Sequence, residues 1–350
     1  MARLLLAALR AGGHAAEVVS TLRSFLPAPD AARMRAVAAE AEREAARLAA
    51  HFTAAGPPDL WFTYHSYYKA PDLLGPRLAA RFGLGYAVAE ASHAGKRAQG
   101  PWAAWHAANE AALRAADRHV CFTPRDAAGL RGLVDPTRIA MLPPFIDAGP
   151  FGAVARPERT GGPVELVTVA MMRPGDKLRS YAALAEALRG LPEGADWRLT
   201  VVGDGPARPA VAALFAGFPA PRLAFAGERD AAGVAAVLAQ SDLYVWPGYG
   251  EAYGMAFLEA AAAGLPVLAM ACGGIGSVVA DGVTGVLVPD GDVAGLAAAL
   301  SRLVAGPAAR RRLGAAGRRM VLEDRTVARA AAVLSGALER WTPRPGRPIG

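Results

Sequence analysis

Cysteine is nearly missing from this chain: Cys121 and Cys272 are the only two in 350 residues, far apart and outside any Cys-x-x-Cys or Cys/His spacing. That excludes a disulfide framework and a cysteine-based structural zinc site, and leaves two small packing residues. Long apolar runs are missing as well. No stretch approaches the roughly 20 uninterrupted apolar residues that span a bilayer, and the start has no basic segment followed by an apolar signal core, which points to a cytoplasmic protein. Lysine is the third scarcity: of 38 Lys and Arg residues only Lys69, Lys96 and Lys177 are lysine. A chain that uses arginine almost everywhere keeps lysine where a compact, rotatable charge is wanted; a plain compositional bias is the alternative, strongest for Lys69. Fixed-period internal repeats are absent too.

What is present is an apolar, basic chain. Hydrophobic residues make up 53%, and the length suits about two domains. The net charge of +7 calls for an anionic partner: a phosphorylated ligand, an acidic lipid surface or nucleic acid. Arginines scattered singly along helix patterns, with no aromatic interleaving, argue against nucleic acid.

Apolar strand patterns alternate with Ala/Leu/Arg-rich helix patterns, as in a parallel sheet covered on both faces. In the first half the strands are expected at 17–22 (EVVSTL), 59–65, 85–91, 119–123 and 138–143. In the second half they are expected at 165–171, 198–203, 222–227, 243–247, 266–270 and 285–289. Between the two series, 153–164 is polar, carries Pro and Gly and has no period, so it reads as a linker. This gives an α/β chain of two doubly wound domains, 1–152 and 165–330, with a C-terminal helix and Pro/Arg tail over 331–350. Such a pair would hold a ligand in a cleft at the strand C-termini. The chain opens on a helix pattern and reaches its first strand pattern at Glu17. The strand and Gly-rich turn that usually open a doubly wound domain are therefore expected to be missing, as if the start were late by about one strand and one loop.

The chemistry concentrates in GYGEAYGMAFLEAAAAGLPVLAM. A helix begins near Gly254 and stops at Gly264, with Pro266 just beyond. Free N–H groups at Gly254, Met255 and Ala256 make an anion site suited to phosphate. Glu259 lies between one and two turns inside a helix that is apolar all round. A buried carboxylate there needs donors, and ribose or sugar hydroxyls are suitable ones. Glu251 precedes the helix; a solvated loop charge is its plain alternative. Upstream, Arg173 and Lys177 in RPGDK sit where a strand opens onto a helix, placed to hold a diphosphate. GDGP at 203–206 is the Gly-rich turn any such connection needs.

Together these segments resemble the donor-binding domain of the retaining GT-B glycosyltransferases, specifically glycosyltransferase family 4 (glycosyl transferases group 1). The resemblance rests on RPGDK, GDGP, EAYGMAFLE, AAGLPVLA and DGVTGVLVPDGD, over about 165–325. It implies two Rossmann-like domains facing a cleft, with 1–152 as the acceptor side. Arg173 and Lys177 would neutralise the departing diphosphate, Glu251 would contact the transferred sugar and Glu259 the ribose, and the amides at Gly254 to Ala256 the sugar or phosphates. No metal or other cofactor is implied, and the family's retaining chemistry is described as front-face displacement. Two features depart from the family pattern: Ser277 stands where Glu is common, and the Arg-to-Lys spacing in RPGDK is one residue short.

On the acceptor side, His65 ends the strand at 59–65, Glu90 lies at the C-terminal end of the strand at 85–91, and His93 and Lys96 follow it. His93 is the candidate for the histidine that such enzymes place near the donor sugar, with a satisfied structural histidine as its alternative; Glu90 is the candidate for meeting the acceptor hydroxyl. The expected partners are a nucleotide sugar and a glycan, lipid-linked or small-molecule acceptor, with the basic surface available for peripheral contact with an anionic membrane at its inner face. The rival functions are a nucleotide-sugar epimerase of the same architecture and a non-catalytic nucleotide-sugar binding protein.

Overall fold

A computed structural model describes residues 1–154 and 161–338. Half of the proposed linker, 155–160, and the whole of the Pro/Arg tail lie outside the described residues. The chain forms two compact units: Met1–Pro143 together with the segment that begins at Ala330, and Pro144–Arg329. The first boundary falls earlier in the chain than the sequence pattern suggests. Residues 144–152 join the second unit, where Ile146 bridges Thr326 and Arg318 Nη2 donates to the carbonyl of Gly152 at 2.6 Å.

The first unit runs α1 (Ala2–Ala11), α2 (Ala31–Ala55), β1 (Leu60–Tyr64), α3 (Gly75–Phe82), β2 (Gly85–Ala89), α4 (Ala103–Ala115), β3 (Arg118–Cys121), α5 (Pro124–Leu130) and β4 (Ile139–Met141). Its sheet has the order β1-β2-β3-β4 and is parallel throughout, with Trp61 opposite Tyr86 and Val88 opposite His119. Every residue of β2 is buried, the signature of a strand covered on both faces. Tyr86, Val88, Leu78, Leu48 and Leu113 form the centre of this core. The helices start where local chemistry allows: Asp30 caps α2 by accepting from Ala32 and Arg33, and Thr123 caps α5, with Pro124 as its first residue.

One expected strand does not form. Residues 17–22 (EVVSTL) carry no ladder. Val19 and Leu22 pack against the core while Val18 is 66% exposed. A short run rich in β-branched residues can lie extended on a core without pairing, so residue type alone cannot tell whether a partner strand exists.

The second unit contains α6 (Gly149–Gly152), β5 (Val164–Val169), α7 (Asp176–Arg189), β6 (Trp197–Val202), α8 (Arg208–Phe215), β7 (Leu223–Gly227), α9 (Ala231–Ala239) and β8 (Leu243–Val245). It continues with α10 (Met255–Ala262), β9 (Val267–Met270), β10 (Gly285–Val288), α11 (Val293–Ala305), α12 (Pro307–Asp324) and the start of α13 (Val327–Leu338). Its six-stranded sheet is ordered β10-β9-β8-β5-β6-β7, again parallel, with Leu166 of β5 opposite both Leu199 of β6 and Leu243 of β8. The chain builds outward from β5 in one direction through β6 and β7, then returns to build in the other through β8, β9 and β10. The loops after β5 and β8 therefore leave in opposite directions, and the gap between them is where doubly wound sheets bind ligands.

From Ala330 onward α13 belongs to the first unit. There the Ser335 hydroxyl lies 3.2 Å from His14 Nε2, and Arg118 Nε donates to the Ala337 carbonyl at 3.2 Å. Among the described residues no helix is long and apolar enough to cross a membrane. Both cysteines are buried and unbridged, and burial pushes their thiols up, Cys121 to about 12 and Cys272 to about 11, in keeping with packing roles.

Candidate functional site

At the C-terminal ends of β5, β6 and β8 a pocket of about 390 Å³ opens. It lies at the point where the strand order reverses, so its position follows from topology before any side chain is considered. Gly203, just after β6, has φ of +135° and lies so close to the Ala170 carbonyl that a side chain there would collide with the backbone. The two loops are then tied together: Met172 N–H donates to Asp204 O at 2.8 Å and Ala207 N–H to Met172 O at 2.9 Å.

α7 brings Lys177 to the pocket. The loop after β8 brings Glu251, and Ser180 of α7 secures that loop by accepting from Tyr249 N–H at 3.0 Å. Lys177 Nζ donates to Glu251 Oε1, and the same oxygen accepts from Trp246 Nε1 at 3.0 Å. The ammonium also lies 5.6 Å from the Trp246 ring centroid. Trp246 is itself fixed edge-on against Tyr181 at 4.8 Å, whose hydroxyl donates to Ala170 O at 2.8 Å. Lys177 and Glu251 are thus a half-buried ion pair on an aromatic floor.

α10 supplies the other wall. Its N-cap is Gly254, in the left-handed region with φ of +75° and no side-chain cap, so the first amides of the helix are not claimed by a capping oxygen. Gly254, Met255 and Ala256 all line the pocket, and so does Glu259, one turn farther along. Phe257, Leu258, Ala260, Ala261 and Ala262 bury the remaining faces, and Arg318 Nη1 satisfies the carbonyl of Ala262 at the far end, at 2.7 Å. Burial raises the Glu259 carboxyl above its ordinary value of 4.5, because desolvation penalises the charged form.

Six residues singled out from the sequence therefore meet in one pocket: Lys177, Glu251, Gly254, Met255, Ala256 and Glu259. Arg173 does not join them; it sits in the loop between β5 and α7, exposed and outside the lining. The lining residues that were not anticipated include Trp246, Glu228 and Arg229. Trp246 ends an apolar strand run and reads as core. Glu228 and Arg229 follow β7, and their only sequence signal is a charged pair at a strand C-terminus.

In the first unit His65 follows β1 and Glu90 follows β2, and these are the only non-glycine residues with positive φ among those described, at 65° and 55°. Each left-handed non-glycine costs of order 1–3 kcal/mol, and such strain collects at functional positions. The backbone bonds that hold them there are His65 N–H to Ala89 O at 2.8 Å and Glu90 N–H to Val120 O at 2.9 Å. Their side chains meet, His65 Nδ1 standing 3.6 Å from Glu90 Oε2. That oxygen is buried and accepts no hydrogen bond.

His93 and Lys96 are not part of this pair. Lys96 is exposed in the short turn Gly95–Arg97. His93 turns to α4, its Nε2 lying 3.4 Å from Glu110 Oε2 and its ring centroid 5.1 Å from that of His106. The Arg114 guanidinium beside Glu110 holds its carboxyl below the ordinary range.

Residues 164–306 match the family model for glycosyl transferases group 1. Among curated relatives, a glycogen synthase of Mycobacterium tuberculosis is 35% identical over 212 residues, 58% of this chain and 50% of that protein. A D-inositol 3-phosphate glycosyltransferase of Xylanimonas cellulosilytica is 33% identical over 260 residues, 68% of this chain and 60% of that protein. The chain thus spans half to three fifths of the length of these relatives. Among solved structures, a sucrose-phosphate synthase of Thermosynechococcus elongatus aligns with a TM-score of 0.71 at 22% identity, covering 97% of this chain and 92% of that one. The two parallel sheets are those of the GT-B fold, and residues 164–306 form a glycosyl transferases group 1 domain.

Proposed function

We propose that the protein transfers a sugar from a nucleotide-diphosphate donor to an acceptor hydroxyl with retention of anomeric configuration, the donor lying in the pocket of the second unit. One observation carries this reading. At the point where the strand order reverses, a carboxylate with raised proton affinity, Glu259, shares a pocket with an uncapped helix N-terminus and Lys177. A ligand with hydroxyls at one end and a diphosphate at the other matches that pairing of acceptor and donors. The names of the two curated relatives, both sugar-transferring enzymes by description, support the same reaction class.

In this reading the diphosphate takes Lys177 from Glu251, and sugar hydroxyls take Glu251 from Lys177, so each charge exchanges one partner for another. The bond from C1 of the sugar to the phosphate oxygen breaks, leaving its electron pair on the diphosphate. The acceptor oxygen bonds to C1 from the same face, and the acceptor proton passes to the departing phosphate oxygen. Lys177, the amides of α10 and Arg173 drawn in from its exposed loop stabilise that developing charge, a role that calls for no metal. His65 and Glu90 are the acceptor-side candidates, on the strength of their strained backbone and the buried, unbonded oxygen of Glu90.

The test is calorimetric titration of the full chain with a panel of nucleoside diphosphates and their glucose esters. Wild type is expected to bind one base in preference to the others, and Lys177→Ala and Arg173→Ala to weaken that binding about 10- to 100-fold, the loss of one or two charge-assisted contacts. NMR of the product would give the anomeric configuration. Failure of wild type to bind any of the panel, or equal binding by both variants, would remove the donor assignment.

A further inference from the structure

The first unit holds a cluster that the glycosyl-transfer reading does not use. On α4, His106 and Glu110 are four residues apart and so share a face; the loop after β2 brings His93 to them. One ligand atom from each of the three lies within 4.8 Å of the other two. His93 Nε2 stands 3.4 Å and His106 Nδ1 3.9 Å from the same oxygen, Glu110 Oε2. Around a tetrahedral zinc with bonds near 2.0–2.1 Å, neighbouring ligand atoms lie roughly 3.3 Å apart, so the three atoms would draw together by up to about 1.5 Å on binding.

Two further features make this a built arrangement. The His106 side chain is 3% exposed, its Nε2 is buried without a hydrogen-bond partner, and its Nδ1 is beyond hydrogen-bonding distance of Glu110. A cation would take Nδ1, the ring nitrogen nearer Glu110 Oε2, and Nε2 would then carry the ring proton. The supports are also in place. Arg114 takes Glu110 Oε1 from Nε at 3.1 Å and from Nη2 at 2.7 Å, leaving Oε2 for the histidines. Asn109, on the same helix, donates from Nδ2 to the Ser92 carbonyl at 3.0 Å, one residue before His93, and accepts from Ser66 Oγ at 2.8 Å. Such outer contacts are what hold metal ligands in register. His93 and Glu110 are 21% and 30% exposed, which leaves a coordination position open to water.

We propose that His93, His106 and Glu110 form a binding site for a zinc-class divalent transition metal within the first unit. Two imidazoles and one carboxylate favour zinc and its neighbours over magnesium or calcium, which take oxygen ligands. The bound cation fastens the loop that carries Glu90 and His93 onto α4. It plays no part at the diphosphate, whose proposed pocket lies in the second unit.

The test uses the full-length, untagged, metal-stripped chain titrated with zinc against a chromophoric chelator, with cobalt(II) absorption as the spectroscopic signature of a four-coordinate site. Wild type should take up one equivalent. His93→Gln and Glu110→Gln, each checked by circular dichroism for a wild-type fold, should weaken uptake about 100-fold or more, beyond the 10- to 100-fold that outer contacts alone carry. Glu90→Gln should bind as wild type does. The proposal is overturned if wild type takes up no equivalent, if His93→Gln and Glu110→Gln bind as wild type, or if Glu90→Gln alone abolishes uptake. One sound variant of the two suffices for the test, because each removes a ligand atom.

Discussion

Glu259→Gln should act in opposite directions on the empty protein and on its complex. The carboxyl is raised above 4.5 by burial, so the folded state keeps its proton to a higher pH than the unfolded chain does. Its contribution to stability is fully present below the unfolded value and is lost as pH rises through the folded value. At pH 7 the ionised carboxylate therefore costs stability, and the neutral amide should make the ligand-free protein more stable than wild type, with the difference closing toward pH 4.5. Binding should move the other way. Hydrogen bonds to a charged acceptor contribute about 1.5–3 kcal/mol, so losing the charge weakens the best nucleotide sugar by roughly 30-fold. At a ligand concentration 100 times the wild-type Kd, stabilisation falls from about 2.7 to about 0.9 kcal/mol. For a unit the size of the second one, this is a thermal shift of roughly 5–10 °C for wild type against about 2–4 °C for the variant. The assay is differential scanning fluorimetry from pH 4.5 to 8, with and without ligand. A variant that is less stable when empty and shifts as far as wild type would refute the reasoning, since Glu259 would then be a structural carboxylate.

Gly254→Ala should cost about 1–3 kcal/mol, because φ there is +75° and the new Cβ would stand 2.5 Å from the Phe257 ring; chemical denaturation and donor titration should both record the loss. His65→Gly should relieve the strain at φ of 65° and leave stability equal or up to ~1 kcal/mol higher, while Glu90→Gln should lower transfer to acceptor more than hydrolysis of donor; equal losses in both rates would place the pair outside the acceptor site. His119 is fully buried, and burial lowers it from 6.5 to about 4, so it stays neutral in the folded state while the unfolded chain takes up a proton below pH 6.5. That contribution is present above pH 6.5 and lost toward pH 4, a change of roughly 3 kcal/mol. His119→Leu should flatten this acid limb of the urea-denaturation profile, and an unchanged limb would contradict it.

Much of the second unit was legible because its signals are local. Each buried parallel strand is a short apolar run, most helices have a Gly or Pro boundary, and Gly254 marks a helix start whatever surrounds it. Glu251 and Glu259 could be joined across that start because a helix fixes where its first turns point. Trp246 could not be read, since an aromatic ending an apolar strand is core by default; only the fold shows Nε1 turned to Glu251. The strain at His65 and Glu90 is likewise invisible in residue types, although both were singled out by position after a strand. His93 was assigned by its place in the loop, but the spacing of His106 and Glu110 on α4 decided where it turned. EVVSTL has the β-branched residues of a strand, and what it lacks, a neighbouring ladder, is information about the rest of the chain.

Charge alone would have located the proposed donor site badly. The chain carries +7, yet the pocket is lined by Lys177 and Arg229 against Glu228, Glu251 and Glu259, so its side chains lean negative. One uncompensated carboxylate about 5 Å from a phosphate would cost roughly 3 kcal/mol at an effective dielectric of 20. Three features reduce that cost without a strongly basic cavity. Burial favours the neutral form of Glu259. The α10 N-terminus adds about half a positive charge from groups that never titrate. Glu251 is already matched by Lys177, so a donor that splits the pair gives each member a new partner. A pocket of this kind holds its own charges near balance while empty and selects an anion that also brings hydroxyls, because a bare diphosphate would take Lys177 and leave Glu251 unpaired on the aromatic floor.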